Sequence, residues 1–186
     1  MRAYLQDLPI RIFALQDFKP EVPYQENKKT FLDNARGKSV YYSRRWDGLT
    51  LGEDSGLEID FLNGAPGVIS ARFSGPHATD SSNISKVLDL MQGISWEKRQ
   101  ARFVSTIVLS QKGNIIKEIR ECTRGYITAQ ARGDFGFGYD PIFYYPPLEK
   151  TFAELSPEEK NQVSHRGRAL KKLKQFLVEY LKKNST

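Results

Sequence analysis

The run "RFVSTIVLSQKGNIIKEIREC", residues 102–122, constrains the fold more than any other stretch of the chain. Two segments dense in Val, Ile, Phe and Thr flank Gln111-Lys112-Gly113-Asn114. β-Branched and aromatic side chains suit a pleated, half-buried surface, and a short turn carrying glycine reverses the chain. The pattern predicts a long antiparallel hairpin, and everything else must pack around it. Residues 2–8 read as the last turns of a helix that Pro9 stops, and 10–15, "IRIFAL", as a strand. Residues 30–45 have helical potential, and "LTLGEDSG" (49–56) reads as a short strand entering a polar turn. Residues 79–92 form an amphipathic helix with Ile84, Val87, Leu88 and Met91 on one side.

The glycine-, proline- and aromatic-rich stretch 133–146 reads as a loop leading into a short strand. Ser156-Pro157-Glu158-Glu159 is a helix start: serine caps, proline takes the first position, and a glutamate follows three residues after the cap. A final helix at about 166–183 aligns Leu170, Leu173, Leu177, Tyr180 and Leu181. Helices and strands alternate early and a hairpin sits in the middle, so we expect an α/β fold: a mixed β-sheet flanked by helices, in one domain spanning 1–186.

Composition narrows the chemistry. At 186 residues and 39% hydrophobic side chains, the chain can bury one substantial core. No stretch approaches the roughly 20 apolar residues of a membrane span. The first residues lack the apolar run of a secretory signal. The expectation is a soluble cytoplasmic protein with no membrane partner. Cys122, the one cysteine, excludes an intrachain disulfide and a thiolate cluster; its neighbours Glu121 and Thr123 offer it no base, so it reads as an ordinary strand residue. Two histidines are too few for a histidine-rich metal site. The net charge of +6 fits a nucleic-acid surface or small phosphorylated substrates. Much of that excess, however, lies at Lys171, Lys172, Lys174, Lys182 and Lys183, interleaved with apolar residues on what reads as a solvated helix face.

Among catalytic patterns, no Gly-x-Ser-x-Gly elbow surrounds Ser55, and neither Gly-x-Gly-x-x-Gly nor the lysine-bearing phosphate loop occurs. The acidic residues are the better lead. Glu26, Asp33, Glu53 and Asp54 lie within 30 residues, and Lys38 shares the predicted helix of Asp33. Mg²⁺ commonly takes one or two carboxylates and completes its shell with water and phosphate, so a sparse acidic site beside a lysine suits a Mg²⁺-phosphate complex; ordinary surface carboxylates are the competing reading. In "KNQVSHRGRAL", Lys160, His165 and Arg166 gather hydrogen-bonding groups around a helix start, which favours anions, although solvated cap charges would look the same. Phe137 and Tyr139 could stack on a base or fill a core edge.

Together, "EDSGLEIDFLNGAPGVISARFSG", "GFGYDPIF", "TFAELSPEEKNQVSHRGRAL" and the looser "ENKKTFLDNARGKS" resemble the inosine triphosphate pyrophosphatase family, in its order and spacing over nearly the whole chain. The resemblance implies an elongated mixed-sheet α/β protein, a homodimer, that uses Mg²⁺ to hydrolyse non-standard purine nucleoside triphosphates (ITP, dITP, XTP) to monophosphate and pyrophosphate, with no specific nucleic-acid partner. It implies that Asp54 is the general base, that Glu26 and Asp54 form the metal site, and that Lys38, Ser55, Phe137, Gly138, Tyr139, Asp140, Lys160, His165 and Arg166 contact substrate.

The chain departs from the family pattern in three places. The family opens with an apolar strand and a Thr/Ser-x-Asn-x-x-Lys phosphate loop, and this chain begins about where the following helix is ending. The expectation is a shortened start to a longer natural chain. Ser81-Ser82-Asn83-Ile84-Ser85-Lys86 matches the loop pattern but follows "FSGPHATD" rather than a strand, and is rejected. Lys28 and Asp33 stand where the family has glycine and glutamate. Two other readings remain: a nucleotide-binding relative without catalysis, and a nucleic-acid-binding domain motivated by charge alone.

Overall fold

The structure, a computed structural model, describes residues 2–18 and 22–184. In chain order its elements are α1 (Arg2–Leu5), α2 (Phe31–Ser43), β1 (Thr50–Ile59), α3 (Asp80–Leu90), β2 (Gln100–Gln111), β3 (Asn114–Ile127), β4 (Phe143–Tyr145), β5 (Lys150–Thr151), α4 (Pro157–Val163) and α5 (His165–Asn184), with short 3₁₀ turns between. The expected hairpin is β2 and β3. Gln111 pairs with Asn114 across a two-residue turn, in which Lys112 and Gly113 both take positive φ (50° and 84°). That backbone geometry matches the twist of the flanking strands, and glycine adopts it without steric cost.

The five strands run in the order β1-β2-β3-β4-β5, and every neighbouring pair is antiparallel. The α/β class stands, with helices flanking the sheet, but the pairing is antiparallel throughout the described residues instead of mixed. The strand expected at residues 10–15 does not form. Ile10 and Ile12 pack against the core beside α5 as irregular chain. β-Propensity expresses itself only where a partner ladder exists, and none runs beside this segment.

A second correction concerns β1. The polar turn expected after "LTLG" does not form: β1 pairs residue for residue with β2, from Thr50↔Ser110 to Ile59↔Ala101. Two glycines make this possible. A Cβ on Gly52 would lie 2.4 Å from the Ala35 carbonyl oxygen of α2, and one on Gly56 would lie 2.4 Å from Ser70 Oγ. The strand is therefore pressed against the α2 backbone and the Gly67–Arg72 turn.

The opposite face of the sheet carries two apolar clusters. One joins Leu57, Ile59, Phe103 and Ile127 to Val87 of α3, to Met91 at its C-terminal cap, and to Phe143 and Phe152. The other joins Ile107, Leu109 and Ile119 to Leu170, Leu173 and Leu177 of α5. The apolar stripes read from the α3 and α5 sequences are thus core contacts. Between the clusters the same face turns polar, through Glu53, Ser55, Ser105 and Glu121. Cys122 sits on β3 as a half-buried free thiol, the ordinary strand residue expected. No described helix is long and apolar enough to cross a membrane.

Gly52→Ala tests the contact between α2 and β1. Backbone cannot yield as a flexible side chain does, so the substitution should cost about 1–3 kcal/mol, the usual range for overpacking. A lowered urea midpoint with an unchanged slope would show it; an unshifted midpoint would mean that α2 does not depend on this approach.

Candidate active site

Strand geometry divides the acidic pair. Successive side chains point to opposite faces, so Glu53 and Asp54 look away from each other. Glu53 and Ser55 lie in the polar gap between the apolar clusters, beneath the start of α5. There Arg166 Nε donates to Glu53 Oε1 at 2.7 Å, its Nη2 donates to Ser55 Oγ at 3.1 Å, and Ser105 Oγ donates to Glu53 Oε1 at 3.3 Å. Arg166 arrives because α4 and α5 pack tightly at their junction. Ser156 and Glu159 form the expected capping box, and a Cβ on Gly167 would lie 1.8 Å from the Asn161 carbonyl oxygen.

The same junction delivers Lys160 and His165. Lys160 Nζ pairs with Asp140 Oδ2, which also accepts Phe137 N–H at 2.8 Å. Asp140 is 2% exposed; burial pushes its carboxyl up, and the Lys160 ammonium pulls the other way. Around this buried pair winds the glycine loop. Gly136 takes φ +81°, and a Cβ there would lie 2.1 Å from Asp140 Oδ2. Gly138 N–H donates to Asp80 Oδ2 of α3 at 2.6 Å. The loop presents Phe137 with 63% of its surface exposed, Lys160 Nζ 4.7 Å and Arg166 Cζ 5.5 Å from the ring centre. Tyr139 points the other way. It is buried, and its hydroxyl donates to the Ser70 carbonyl at 2.7 Å. Of the two aromatic residues, Phe137 alone offers a face to a ligand.

His165 stacks on Phe103 with centroids 4.8 Å apart and an 11° interplanar angle, and its Nδ1 is buried without a partner. Burial, then Arg166 and Lys160, push its pKa down to about 3. It is a neutral imidazole with one unmatched polar atom beside two cations.

Asp54 belongs to the other face. Its Oδ2 accepts from Asn34 Nδ2 at 2.9 Å and its Oδ1 from Ser55 N–H at 3.0 Å. Burial holds the carboxyl above its ordinary value, helped by the nearby Glu26 charge and opposed by Asn34, Lys38 and the Ser55 N–H. Directly opposite on β2 stands Thr106, fully buried, its hydroxyl without a partner. Glu26 comes from the extended segment before α2 and meets Lys38 Nζ at 2.8 Å. The same ammonium donates to the Glu53 carbonyl at 2.7 Å. β1 is an edge strand, and Glu53 links the two groups: Lys38 holds its backbone carbonyl and Arg166 its carboxylate.

Sequence reading missed Asn34, Asp80 and Thr106. Asn34 carried a signal: it lies one helical turn before Lys38, on the same face of α2. It also ties the segment bearing Glu26 to Asp54, because its Oδ1 accepts Lys28 N–H at 3.0 Å. Asp80 and Thr106 owe their places to contacts distant in sequence.

Lys160→Met tests the buried pair. It strands the Asp140 carboxylate and should cost about 3 kcal/mol near neutral pH, toward the lower end for breaking a buried pair. The deficit should shrink as pH falls through the raised Asp140 pKa and the carboxyl takes up a proton. Denaturation midpoints measured from neutral to acid pH would show convergence with the parent protein; a pH-independent gap would contradict it.

Residues 1–176 match the model of the Ham1 family. The dITP/XTP pyrophosphatase of Thermoanaerobacter pseudethanolicus is 39% identical over 183 residues, covering 97% of this chain and 91% of that protein. The Bacillus anthracis protein of the same name is 42% identical over 92% of this chain and 86% of its own length. The Ham1 protein of Staphylococcus aureus superposes with a TM-score of 0.89 at 36% identity, over 96% of this chain and 91% of that one. A HAM1 protein of Coxiella burnetii gives 0.88 at 39% identity, over the same shares of the two chains. With matches of this extent in sequence and in fold, the chain belongs to the Ham1 family.

Proposed function

We propose that this protein hydrolyses non-standard purine nucleoside triphosphates (ITP, dITP and XTP) to the monophosphate and pyrophosphate, with Mg²⁺ as cofactor. The observation that carries the reading is the meeting of two chemistries around one strand edge: a partly buried carboxylate, Asp54, beside Lys38 and Glu26, and an exposed aromatic ring, Phe137, flanked by Lys160 and Arg166. A nucleotide has that polarity, with a flat base at one end and a polyanion at the other. The names of the relatives, dITP/XTP pyrophosphatases, support the substrate class.

Glu26 and Asp54 would hold the metal. Both offer hard carboxylate oxygens, and Glu26 accepts a cation in this structure, the Lys38 ammonium. Among the described residues no cluster of three or more acidic, histidine or cysteine side chains forms a closed cage. Two carboxylates with the remaining positions left to water and substrate oxygens is a common arrangement for Mg²⁺. When bound, the ion would neutralise phosphate charge and polarise the phosphoryl oxygens.

Asp54 takes the proton as water attacks the α-phosphorus; the new P–O bond forms as the bond to the bridging oxygen breaks, and pyrophosphate leaves. The raised pKa of Asp54, held up by burial, makes it a stronger base than a solvated aspartate. Lys38 neutralises the leaving group. At the other end, Phe137 stacks on the base, and the Lys160 and Arg166 donors match a 6-keto acceptor where adenine would present a donor.

Pyrophosphate release from dITP or XTP with Mg²⁺ is the test. Asp54→Asn should lower the rate by about 10²–10⁴-fold, the usual worth of a positioned acid or base, with the fold retained. The parent's rate should fall on an acid limb as the Asp54 carboxylate takes up a proton. Asn34→Ala, which removes a hydrogen bond that favours the ionised form, should move that limb to higher pH. Tight IMP binding without any pyrophosphate release would replace hydrolysis with simple nucleotide binding.

A further inference from the structure

The outer edge of β3 encloses a cavity of about 590 Å³. This volume falls within the roughly 300–1,000 Å³ of small-molecule sites. No residue of the candidate active site lines it. Its arginine row, Glu58↔Arg102↔Arg124 across β1, β2 and β3, lies four residues along the strands from the row of Asp54, or ~13 Å at 3.3 Å per residue.

Two features of this cavity point to an anion. The first is the register: Arg102 and Arg124 stand directly opposite each other on β2 and β3, and like charges so placed are unfavourable. Arg102 is compensated by Glu58 at 2.6 Å and Asp60 at 3.8 Å. The Arg124 side chain, also lining the cavity, makes no ion pair or hydrogen bond with any described residue and is exposed. The second is Arg168. It starts from α5 on the opposite face and reaches around the β3 edge, where its guanidinium makes, among the described residues, two long contacts, 3.5 Å to the Cys122 carbonyl and 3.5 Å to the Tyr145 hydroxyl. β4 pairs with β3 only at Tyr126 and Ile127, so the edge beyond them is open to a ligand.

Asp60, Gln100 and Thr123 add polar groups to the wall, and one part of it is aromatic. Tyr126 is backed by Trp96, the rings stacked 5.0 Å apart at 15°, and Tyr145 and Pro146 close the other side. Two uncompensated guanidiniums beside an aromatic wall recognise a phosphate attached to a flat body, because Arg pairs with phosphate through two parallel hydrogen bonds. We propose that the cavity at the outer edge of β3 is a second binding site, separate from the candidate active site, for a small aromatic phosphate monoester whose phosphate lies between Arg124 and Arg168. A pocket of this volume holds one small molecule, which favours such a ligand over a polymer.

Isothermal calorimetry with phenyl phosphate as the probe, and phenol at matched ionic strength as its uncharged counterpart, tests this on the whole protein. Phenyl phosphate should bind saturably and phenol should not. Arg124→Gln and Arg168→Gln should each weaken binding roughly tenfold or more, the loss expected when one charge-assisted contact is removed. Lys182→Gln, which removes a cation from the far end of α5, should leave binding unchanged, and near-UV circular dichroism confirms that each variant is folded. Absence of saturable binding to the parent overturns the proposal. So does binding that survives both arginine substitutions, as at the candidate active site, or that falls equally in Lys182→Gln.

Discussion

The residue-for-residue pairing of β1 with β2 governs the arrangement of everything functional in this molecule. A strand has a side-chain period of two, so once Thr50 is opposite Ser110 the faces of Glu53, Asp54 and Ser55 follow. Asp54 must look toward α2, and Glu53 and Ser55 toward α5. The glycines at 52 and 56 share the face of Asp54, and their missing side chains let α2 come close enough for Asn34 to reach the carboxylate. A register slip of one residue would turn Asp54 toward Arg166 and put Glu53 beneath the helix.

The polar gap on the other face has an equally simple origin. β1 and β2 alternate normally at both ends, with Leu51 opposite Leu109, Leu57 opposite Phe103 and Ile59 opposite Ala101. In the middle the inward positions are Glu53, Ser55 and Ser105, and a carboxylate cannot be left unpaired there. Arg166 supplies the partner. This makes the start of α5 structural and functional at once: one guanidinium holds Glu53, touches Ser55 and stands over Phe137. Asp140 and Lys160 repeat the arrangement one layer up, where a buried pair fixes the loop that displays the aromatic ring.

Features of local origin were legible in the sequence. The hairpin, the capping box at Ser156 and the apolar stripes of α3 and α5 each depend on a short window whose chemistry has one sensible outcome. What failed depended on partners elsewhere in the chain. Residues 10–15 have strand-forming side chains but no ladder to join. "GEDSG" looks like a turn because glycines and acids favour turns, yet long-range pairing overrides that preference. At the site, motif resemblance pointed to segments that the fold brings near one another, but it could not say that Tyr139 is core or that Asn34 lies against Asp54. The resemblance singled out Asp54 over Glu53, and the structure adds a physical difference: Arg166 matches the Glu53 charge, whereas burial raises the Asp54 pKa.

The net charge of +6 acquires a location from the structure. Two lysines of α5 are matched locally, Lys172 by Glu121 and Lys174 by Asp7, so the helix that carries much of the excess is partly neutralised. Other cations gather at the two open edges of the sheet: Lys38, Lys160 and Arg166 around β1, and Arg102, Arg124 and Arg168 around β3. A polynucleotide surface calls for a continuous basic track along which successive phosphates bind. Two compact clusters, each beside an aromatic ring and interrupted by acids such as Asp140 and Asp60, fit discrete phosphorylated ligands better. A sheet edge is well suited to them, because side chains from both faces can converge where no neighbouring strand intervenes.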